Sequence, residues 1–276
     1  MSGTLYIIPT PIGNLGDMTE RAKETLANVD FVASEDTRVG GKLLMLFGIK
    51  KPLLSYHEHS NKAVINAIVE RIVAGESCGL ITDAGTPAVS DPGEKLVAAC
   101  AEAGVLVCAL PGACAAITAL SASGLMSRRF CFEGFLPENK KQRRERIEEL
   151  SREKRTFILY ISPHDAESYL KELCETFGER KAVLAKEITK LHERYFRGRL
   201  SEIEKEFSSL SAPEKKGEYV LICEGMTEED EFWKDMTIEA HVEHYISLGM
   251  SKMDACKQTA RDRKVGKGDI YKIVNK

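Results

Sequence analysis

The stretch Gly79-Leu-Ile-Thr82-Asp-Ala-Gly-Thr-Pro-Ala-Val-Ser-Asp-Pro-Gly93 decides the fold. A short apolar run passes directly into a loop of Gly, Pro, Ala, Ser and Asp. Such a run, bounded by turn residues, reads as a strand buried on both faces. Two other stretches follow the same design. Thr4-Leu-Tyr-Ile-Ile-Pro9 runs into Pro9-Thr-Pro-Ile-Gly-Asn14, and Val105-Leu-Val-Cys-Ala-Leu110 runs into Leu110-Pro-Gly-Ala-Cys114. Further strands are predicted over 31–34 and 53–56.

Helical patterns separate these runs. Asp17-Met-Thr-Glu20 has the form of a capping box before Ala22, Leu26 and Val29. Residues 39–47 read as a helix closed by Gly48. Residues 62–74 carry Val64, Ile65, Ile68, Val69 and Ile72 as an apolar stripe, with Gly75 as the stop. Helices are also predicted over 94–103 and 113–123, the latter so rich in Ala and Ser that another element must pack closely on it. This β-α-β-α order specifies an α/β fold with a parallel sheet covered by helices.

The texture changes near Arg128. Strands are predicted near 130–135, 156–161, 181–186, 192–198 and 218–223, with helices over 139–152, 165–177 and 200–209. This is a second α/β domain with a more antiparallel, mixed sheet. An acidic linker over 227–231 leads to three short helical patterns over 237–248, 251–261 and 267–274. The expected domains are 1–118, 119–230 and a helical, helix-turn-helix-like tail over 235–276.

The 276 residues are 43% apolar and 29% charged, which excludes a mainly disordered chain and leaves room for two ordinary cores. There is no run of 18 apolar residues, so no membrane span is expected. The N-terminus reads as a strand and not as a signal peptide. Eight cysteines without a C-x-x-C spacing suit buried thiols in the reducing cytoplasm better than zinc ligands or disulfides. Net charge is −3, yet residues 252–276 hold eight Lys or Arg against three acids, and residues 140–155 hold eight against four. Local basic patches on a mildly acidic chain point to an anionic partner met at one face.

Ligands of open parallel sheets bind beyond the carboxyl ends of the strands. Three such ends here are rich in Gly and Pro, a combination that lets backbone approach a planar ligand. No phosphate-binding glycine motif is present, and the prolines of Pro9-Thr-Pro11 remove amide donors a phosphate cradle needs. An adenosyl group of low charge suits the cleft better. After the second strand, Ser34-Glu-Asp-Thr-Arg38 places two acids, a hydroxyl and a guanidinium together. It reads either as a local salt bridge with a helix cap at Asp36 or Thr37, or as a site for a substrate hydroxyl with Arg38 holding an anion. His57 and His59 alternate and face opposite ways if the third strand continues, which disfavours a metal site.

Read together, these stretches resemble a known family. Leu5-Tyr-Ile-Ile-Pro-Thr-Pro-Ile-Gly-Asn-Leu15, Glu35-Asp-Thr-Arg38, Thr82-Asp-Ala-Gly-Thr-Pro87 with Asp91-Pro-Gly93, and Leu110-Pro-Gly-Ala-Cys-Ala-Ala-Ile-Thr-Ala-Leu120 carry the resemblance in the first half. Phe130-Cys-Phe-Glu-Gly-Phe-Leu-Pro137, Lys186-Glu-Ile-Thr-Lys190 and Lys216-Gly-Glu-Tyr-Val-Leu-Ile-Cys-Glu-Gly225 carry it in the second. The chain resembles the bacterial 16S ribosomal RNA cytidine 2′-O-methyltransferases, a branch of the tetrapyrrole methylase superfamily. The resemblance implies a methyl donor, S-adenosylmethionine (SAM), with no metal. It places Ile12, Gly85, Thr86, Val89, Ala113, Cys114 and Tyr160 around the donor, and implies a homodimer acting on 16S rRNA within the small ribosomal subunit. Two positions depart from the family pattern in Leu159-Tyr-Ile-Ser-Pro-His-Asp165. Ile161 and Asp165 stand where the family usually has a Glu and an Arg, and Ser162 and His164 can also be read as caps of the next helix.

Methyl transfer to a ribose needs the 2′-hydroxyl held in line with the sulfonium methyl and its proton removed. Candidates for the chemistry are Glu35, Asp36, Arg38, His57, Lys190 and Glu218. Arg38, the 140–155 helix and the tail are candidates for holding RNA phosphates. Two other functions compatible with this architecture are methylation of a tetrapyrrole or another small molecule, and ligand sensing by a nucleic-acid-binding regulator.

Overall fold

A computed structural model of the chain describes residues 2–227, 233–234 and 236–274. It divides into two compact units, Met1–Gly225 and Met226–Lys276. Most of the acidic stretch expected over 227–231 lies outside the described residues.

The larger unit contains two five-stranded sheets. The first is built from β1 (Thr4–Ile7), β2 (Phe31–Ser34), β3 (Leu53–Ser55), β4 (Cys78–Ile81) and β5 (Leu106–Ala109), in the order β3-β2-β4-β1-β5. Every pairing in it is parallel. α1 (Glu20–Asn28), α2 (Thr37–Leu46), α3 (Lys62–Val73) and α4 (Glu94–Glu102) supply its crossovers. α3 shows the local logic. The Asn61 side chain accepts from the Val64 N–H and caps the helix, and Ile65, Ile68 and Ile72 bury one stripe against the sheet. Burial of one such side chain contributes about 1.5–3 kcal/mol.

Two local expectations are corrected. The start of α1 is capped by Thr19, which accepts from the Ala22 N–H at 3.1 Å, and residues 15–17 form a separate 3₁₀ turn capped by Asn14. β2 and β4 are buried along their length, but Leu106 of β5 is 65% exposed, because β3 and β5 are the sheet edges.

The second sheet comprises β6 (Phe130–Phe135), β7 (Thr156–Ile161), β8 (Lys181–Lys186), β9 (Arg194–Arg199) and β10 (Tyr219–Cys223), in the order β6-β7-β10-β8-β9. β6 and β7 are parallel and the other pairs antiparallel, so the sheet is mixed. One face packs on α6 (Lys140–Leu150), α7 (Ala166–Phe177) and α8 (Leu200–Ser208) through Ile147, Leu170, Leu173, Ile203 and Phe207. The other face is covered by α5 (Ala115–Ser123), whose Ala116, Ala119 and Leu120 meet Ile158, Val220 and Ile222. The small side chains of α5 allow this close approach. The boundary expected at residue 118 falls inside α5, which belongs by packing to the second sheet.

The smaller unit holds α9 (Ile238–Ser247), α10 (Lys252–Asp262) and α11 (Lys267–Val274) around Val242, Ala255, Cys256, Ala260 and Ile270. Buried His241 stacks on Trp233 with ring centroids 5.4 Å apart. Its Nδ1 accepts from Arg263 Nε at 3.0 Å, and burial and the Arg263 charge push its pKa down to about 4. No helix among the described residues is long and apolar enough to cross a membrane.

Candidate active site

The three Gly- and Pro-rich loops meet at the carboxyl edge of the first sheet. β1 and β4 are neighbours, so their loops emerge side by side. They are joined by reciprocal backbone bonds, Thr10 N–H to Gly85 O at 2.9 Å and Gly85 N–H to Thr10 O at 3.1 Å. The Thr10 hydroxyl donates to the Thr82 carbonyl at 3.1 Å. Gly85 has φ +87°, a conformation that favours glycine. The third loop is tied in by Thr86, whose hydroxyl donates to the Ala113 carbonyl at 2.8 Å. The second sheet contributes Tyr160, whose hydroxyl accepts from the Ala116 N–H at 3.2 Å.

These contacts enclose a cleft of about 280 Å³. Ile12, Gly85, Thr86, Val89, Cys114 and Tyr160 line it, with Ile188, Tyr219 and Val220 from the second sheet side. Among the described residues no Lys or Arg lines it, so they offer no cation to a phosphate there. Its carboxyl groups are those of Asp91 and Glu218. Burial, reinforced by Glu35 and Asp83, pushes the Asp91 carboxyl up to about 7. Burial also pushes the Tyr160 hydroxyl up to about 12. The loop that carries Asp91 is strained. Ala88 (φ 65°) and Ser90 (φ 62°) adopt the left-handed region, which costs a non-glycine residue about 1 kcal/mol or more. Gly93 closes the loop so tightly that a Cβ there would lie 2.8 Å from the Ala88 Cβ.

At the edge of the cleft, Lys190 Nζ lies 2.9 Å from Glu187 Oε1 and 2.8 Å from Glu218 Oε2. Burial lowers the Lys190 pKa, but the two carboxylates outweigh it and the net shift is upward. Glu187 also accepts from the Glu218 N–H at 2.8 Å. A Cβ on Gly13 would come within 2.5 Å of the Lys190 side chain, so the glycine of the first loop makes room for it.

An apolar cleft with an acidic lining, formed by backbone-rich loops at strand ends, fits an uncharged adenosyl group joined to a cationic sulfonium and amine. Known proteins resemble the chain along most of its length. The family model for tetrapyrrole (corrin/porphyrin) methylases matches residues 4–204. Ribosomal RNA small subunit methyltransferase I of Bacillus subtilis is 41% identical over 274 residues, covering 98% of this chain and 93% of the relative. The protein of the same name from Halalkalibacterium halodurans is 44% identical over 277 residues, covering 99% and 95%.

The chain belongs to the tetrapyrrole methylase family, in the branch named ribosomal RNA small subunit methyltransferase I.

Two solved structures share the fold at low identity. Diphthine synthase aligns with a TM-score of 0.60 and 15% identity, over 82% of this chain and 91% of that one. A uroporphyrin-III C-methyltransferase from Thermus thermophilus, complexed with S-adenyl homocysteine, aligns with a TM-score of 0.53 and 17% identity, over 80% and 97%.

Within this tetrapyrrole methylase, six of the seven expected donor residues line the cleft. The seventh, Ala113, meets Thr86 through its carbonyl. Glu218 lines the same cleft, and Lys190 reaches it through Glu218. Glu35 lies in a second cavity next to it. Asp36 and Arg38 line neither. Asp36 caps α2 by accepting from the Arg38 N–H at 2.8 Å, and it pairs with the Arg38 guanidinium at 2.6 Å, which holds its carboxyl down at about 2. β3 ends at Ser55, so the alternation expected of His57 and His59 does not apply. Their rings meet edge to face with centroids 6.2 Å apart. Ile161 is buried and lines the cleft, while Asp165 accepts from the Ser162 hydroxyl at 2.5 Å at the start of α7.

Asp91 is not among the residues expected at the site, although it sits in Asp91-Pro-Gly93. Its signal was the pairing of an acid with Pro and Gly at a strand end. The expected basic face of α6 is also smaller than its composition suggests. Arg143 is buried against Glu172 at 2.8 Å, and Arg146 pairs with Glu133 and Glu149. Lys140, Lys141 and Arg144 face outward. In the tail, Arg263 turns inward to His241 and to the Trp233 and Thr237 carbonyls, while Arg261, Lys264 and Lys267 are exposed.

Proposed function

We propose that this protein transfers a methyl group from SAM to the 2′-hydroxyl of a cytidine in 16S rRNA of the small ribosomal subunit. The observation that carries the reading is 41% identity along 98% of the chain to a relative named as a ribosomal RNA small subunit methyltransferase. SAM supplies an electrophilic methyl carbon on a sulfonium. The residues of this chain do the rest. Ile12, Val89 and Val220 exclude water from the cleft and favour the adenosyl portion. Asp91 offers a carboxylate to the cationic end of the donor. Thr86 holds the loops of β4 and α5 at a fixed separation.

Lys190, Glu187 and Glu218 form the polar group at the acceptor side. Glu218 is 72% exposed in its side chain and remains within reach of an incoming hydroxyl, while Lys190 fixes its direction. A carboxylate in such a position contributes on the order of 10²–10⁴ in rate when it takes a proton in the transition state. Exposed Lys140, Lys141 and Arg144, together with the cations of the tail, hold the RNA backbone. A homodimer, a cytoplasmic location and a three-part organisation, with its first boundary placed before α5, belong to the same proposal. Light scattering tests the dimer.

The test of the reading is methyl transfer from labelled SAM to small ribosomal subunits that lack the modification, followed by digestion and identification of the nucleoside. A labelled 2′-O-methylcytidine is the expected product. Label in a base, in another nucleoside or in no RNA product overturns the reading.

A further inference from the structure

A second cavity, of about 370 Å³, opens beside the donor cleft. Ser90 and Asp91 line both, so the two share a wall. The second cavity lies at the carboxyl ends of β2 and β3, where Glu35 and Tyr56 enter its lining. Its other ionisable residues are Glu58, Asp91, Glu94 and Lys95. A phosphate placed there meets four carboxylates and one cation, which is repulsive. A neutral planar group with N–H donors meets acceptors instead.

Glu35 has the geometry to act as such an acceptor. Its Oε2 accepts from the Asp83 N–H at 3.4 Å, which fixes the carboxyl at the end of β2. Among the described residues Oε1 has no hydrogen-bond partner. Burial raises the pKa of this carboxyl, as expected of a carboxylate short of donors.

Resting on the reading that the chain methylates a ribose in RNA, we propose that this second cavity receives the target base, and that Glu35 accepts a hydrogen bond from its exocyclic amino group. The shared wall carries the argument. A ribose whose base occupies the second cavity stands beside Ser90 and Asp91, the residues that also border the donor. The acidic lining keeps phosphates outside and admits only the base, so the nucleotide enters turned out of its strand. Cytosine presents an N4 amino donor at this edge, where uracil presents an acceptor oxygen. Two acceptors facing each other in a part-buried cavity repel, and Glu35 thereby selects cytosine over uracil.

The experiment compares methylation of two kinds of small ribosomal subunit, both lacking the modification. One carries cytidine at the methylated position and the other uridine. The native protein is expected to prefer cytidine by on the order of 10- to 100-fold. Glu35→Gln keeps the shape and offers both a donor and an acceptor. It is expected to bring the two rates within about threefold of each other, with SAM affinity and melting temperature unchanged. An unchanged preference in folded Glu35→Gln overturns the proposal, as does a native protein that accepts both bases equally. Equal loss on both substrates with the preference intact also overturns it, since Glu35 then serves the chemistry and not the reading of the base. Failure of the native protein on the cytidine subunit sinks the underlying methyltransferase reading, and this proposal with it.

Discussion

The Thr86 hydroxyl donates to the Ala113 carbonyl across 2.8 Å, and this bond ties the loop after β4 to the turn that opens α5. Both segments border the cleft proposed to hold the donor, so the bond sets the spacing of two of its walls. Thr86→Val keeps the side-chain shape and removes the donor. Stability is expected to fall by about 1 kcal/mol, and SAM affinity by about tenfold. Calorimetric titration against Thr86→Ser, which keeps the hydroxyl, checks this. Equal affinity in both variants would show that the Thr10–Gly85 bridge alone holds the loop.

The second prediction concerns pH. Asp91 titrates at about 7 in the folded chain, and an unfolded aspartate near 4. Between these values the folded state holds a proton that the unfolded state has released. The contribution of this group to stability is therefore greatest below about pH 4 and is lost as pH rises towards 7. Asp91→Asn is expected to flatten stability over this window and to raise it at pH 8 in the absence of donor. A cationic donor beside the carboxylate favours ionisation, so SAM binding near pH 6.5 releases a proton. Titration in buffers of different ionisation enthalpy measures that proton. Asp91→Asn should abolish the release and weaken SAM binding by more than about tenfold. A full proton release in Asp91→Asn would assign the effect to another group.

The third prediction separates a cap from a catalytic role. Asp36 caps α2 and pairs with Arg38, whose side chain is 87% exposed. Asp36→Ala removes the cap and should lower the melting temperature more than Arg38→Ala does, because Arg38→Ala leaves the cap bond to the backbone in place. Methyl transfer per folded molecule should hold within about twofold in Asp36→Ala. A larger loss in that variant would place Asp36 in the chemistry. Arg38→Ala should weaken binding to the subunit, with SAM affinity unchanged.

The fourth prediction concerns the tail. The helical unit has its own core, and exposed Arg261, Lys264 and Lys267 lie on it. Deleting 235–276 should leave SAM affinity intact and weaken binding to the small subunit. For every phosphate that the tail neutralises, the deletion should lower the salt slope of log K by about 0.7–0.9. Filter binding at several salt concentrations reads the slope. The same slope with and without the tail would remove it from the RNA interface.

Much of the fold is local and was legible. The apolar runs at 4–9, 31–34 and 79–82 are too short for helices and end in turn residues. The 62–74 stripe has helical period. Both signals act over a few residues, so they survive without knowledge of the rest of the chain. The three loops that border the cleft were legible for the same reason, while the residues around the donor came from the family resemblance. Ile12, Gly85, Thr86, Val89 and Cys114 sit in loops whose Gly and Pro content sets their backbone directly, and those loops follow parallel strands whose carboxyl ends form one edge.

Partnership between distant segments was not legible. Asp36 read equally well as a helix cap or as part of a substrate site, and its cap bond to the Arg38 N–H became visible only in the folded α2. The basic composition of α6 suggested a charged face, but Arg143 turns inward to Glu172, 29 residues away. Lys190 is held by Glu187 in its own turn and by Glu218 just before β10, against a gap left by Gly13 in the first loop. Asp91 became notable because two cavities share it, a fact of packing. The sequence by itself determined strand, helix and turn, because these depend on side-chain period and backbone torsion along the chain. The tertiary structure alone decided which charges are neutralised and which carboxylates stay without partners, because desolvation and Coulomb energy depend on distance in space.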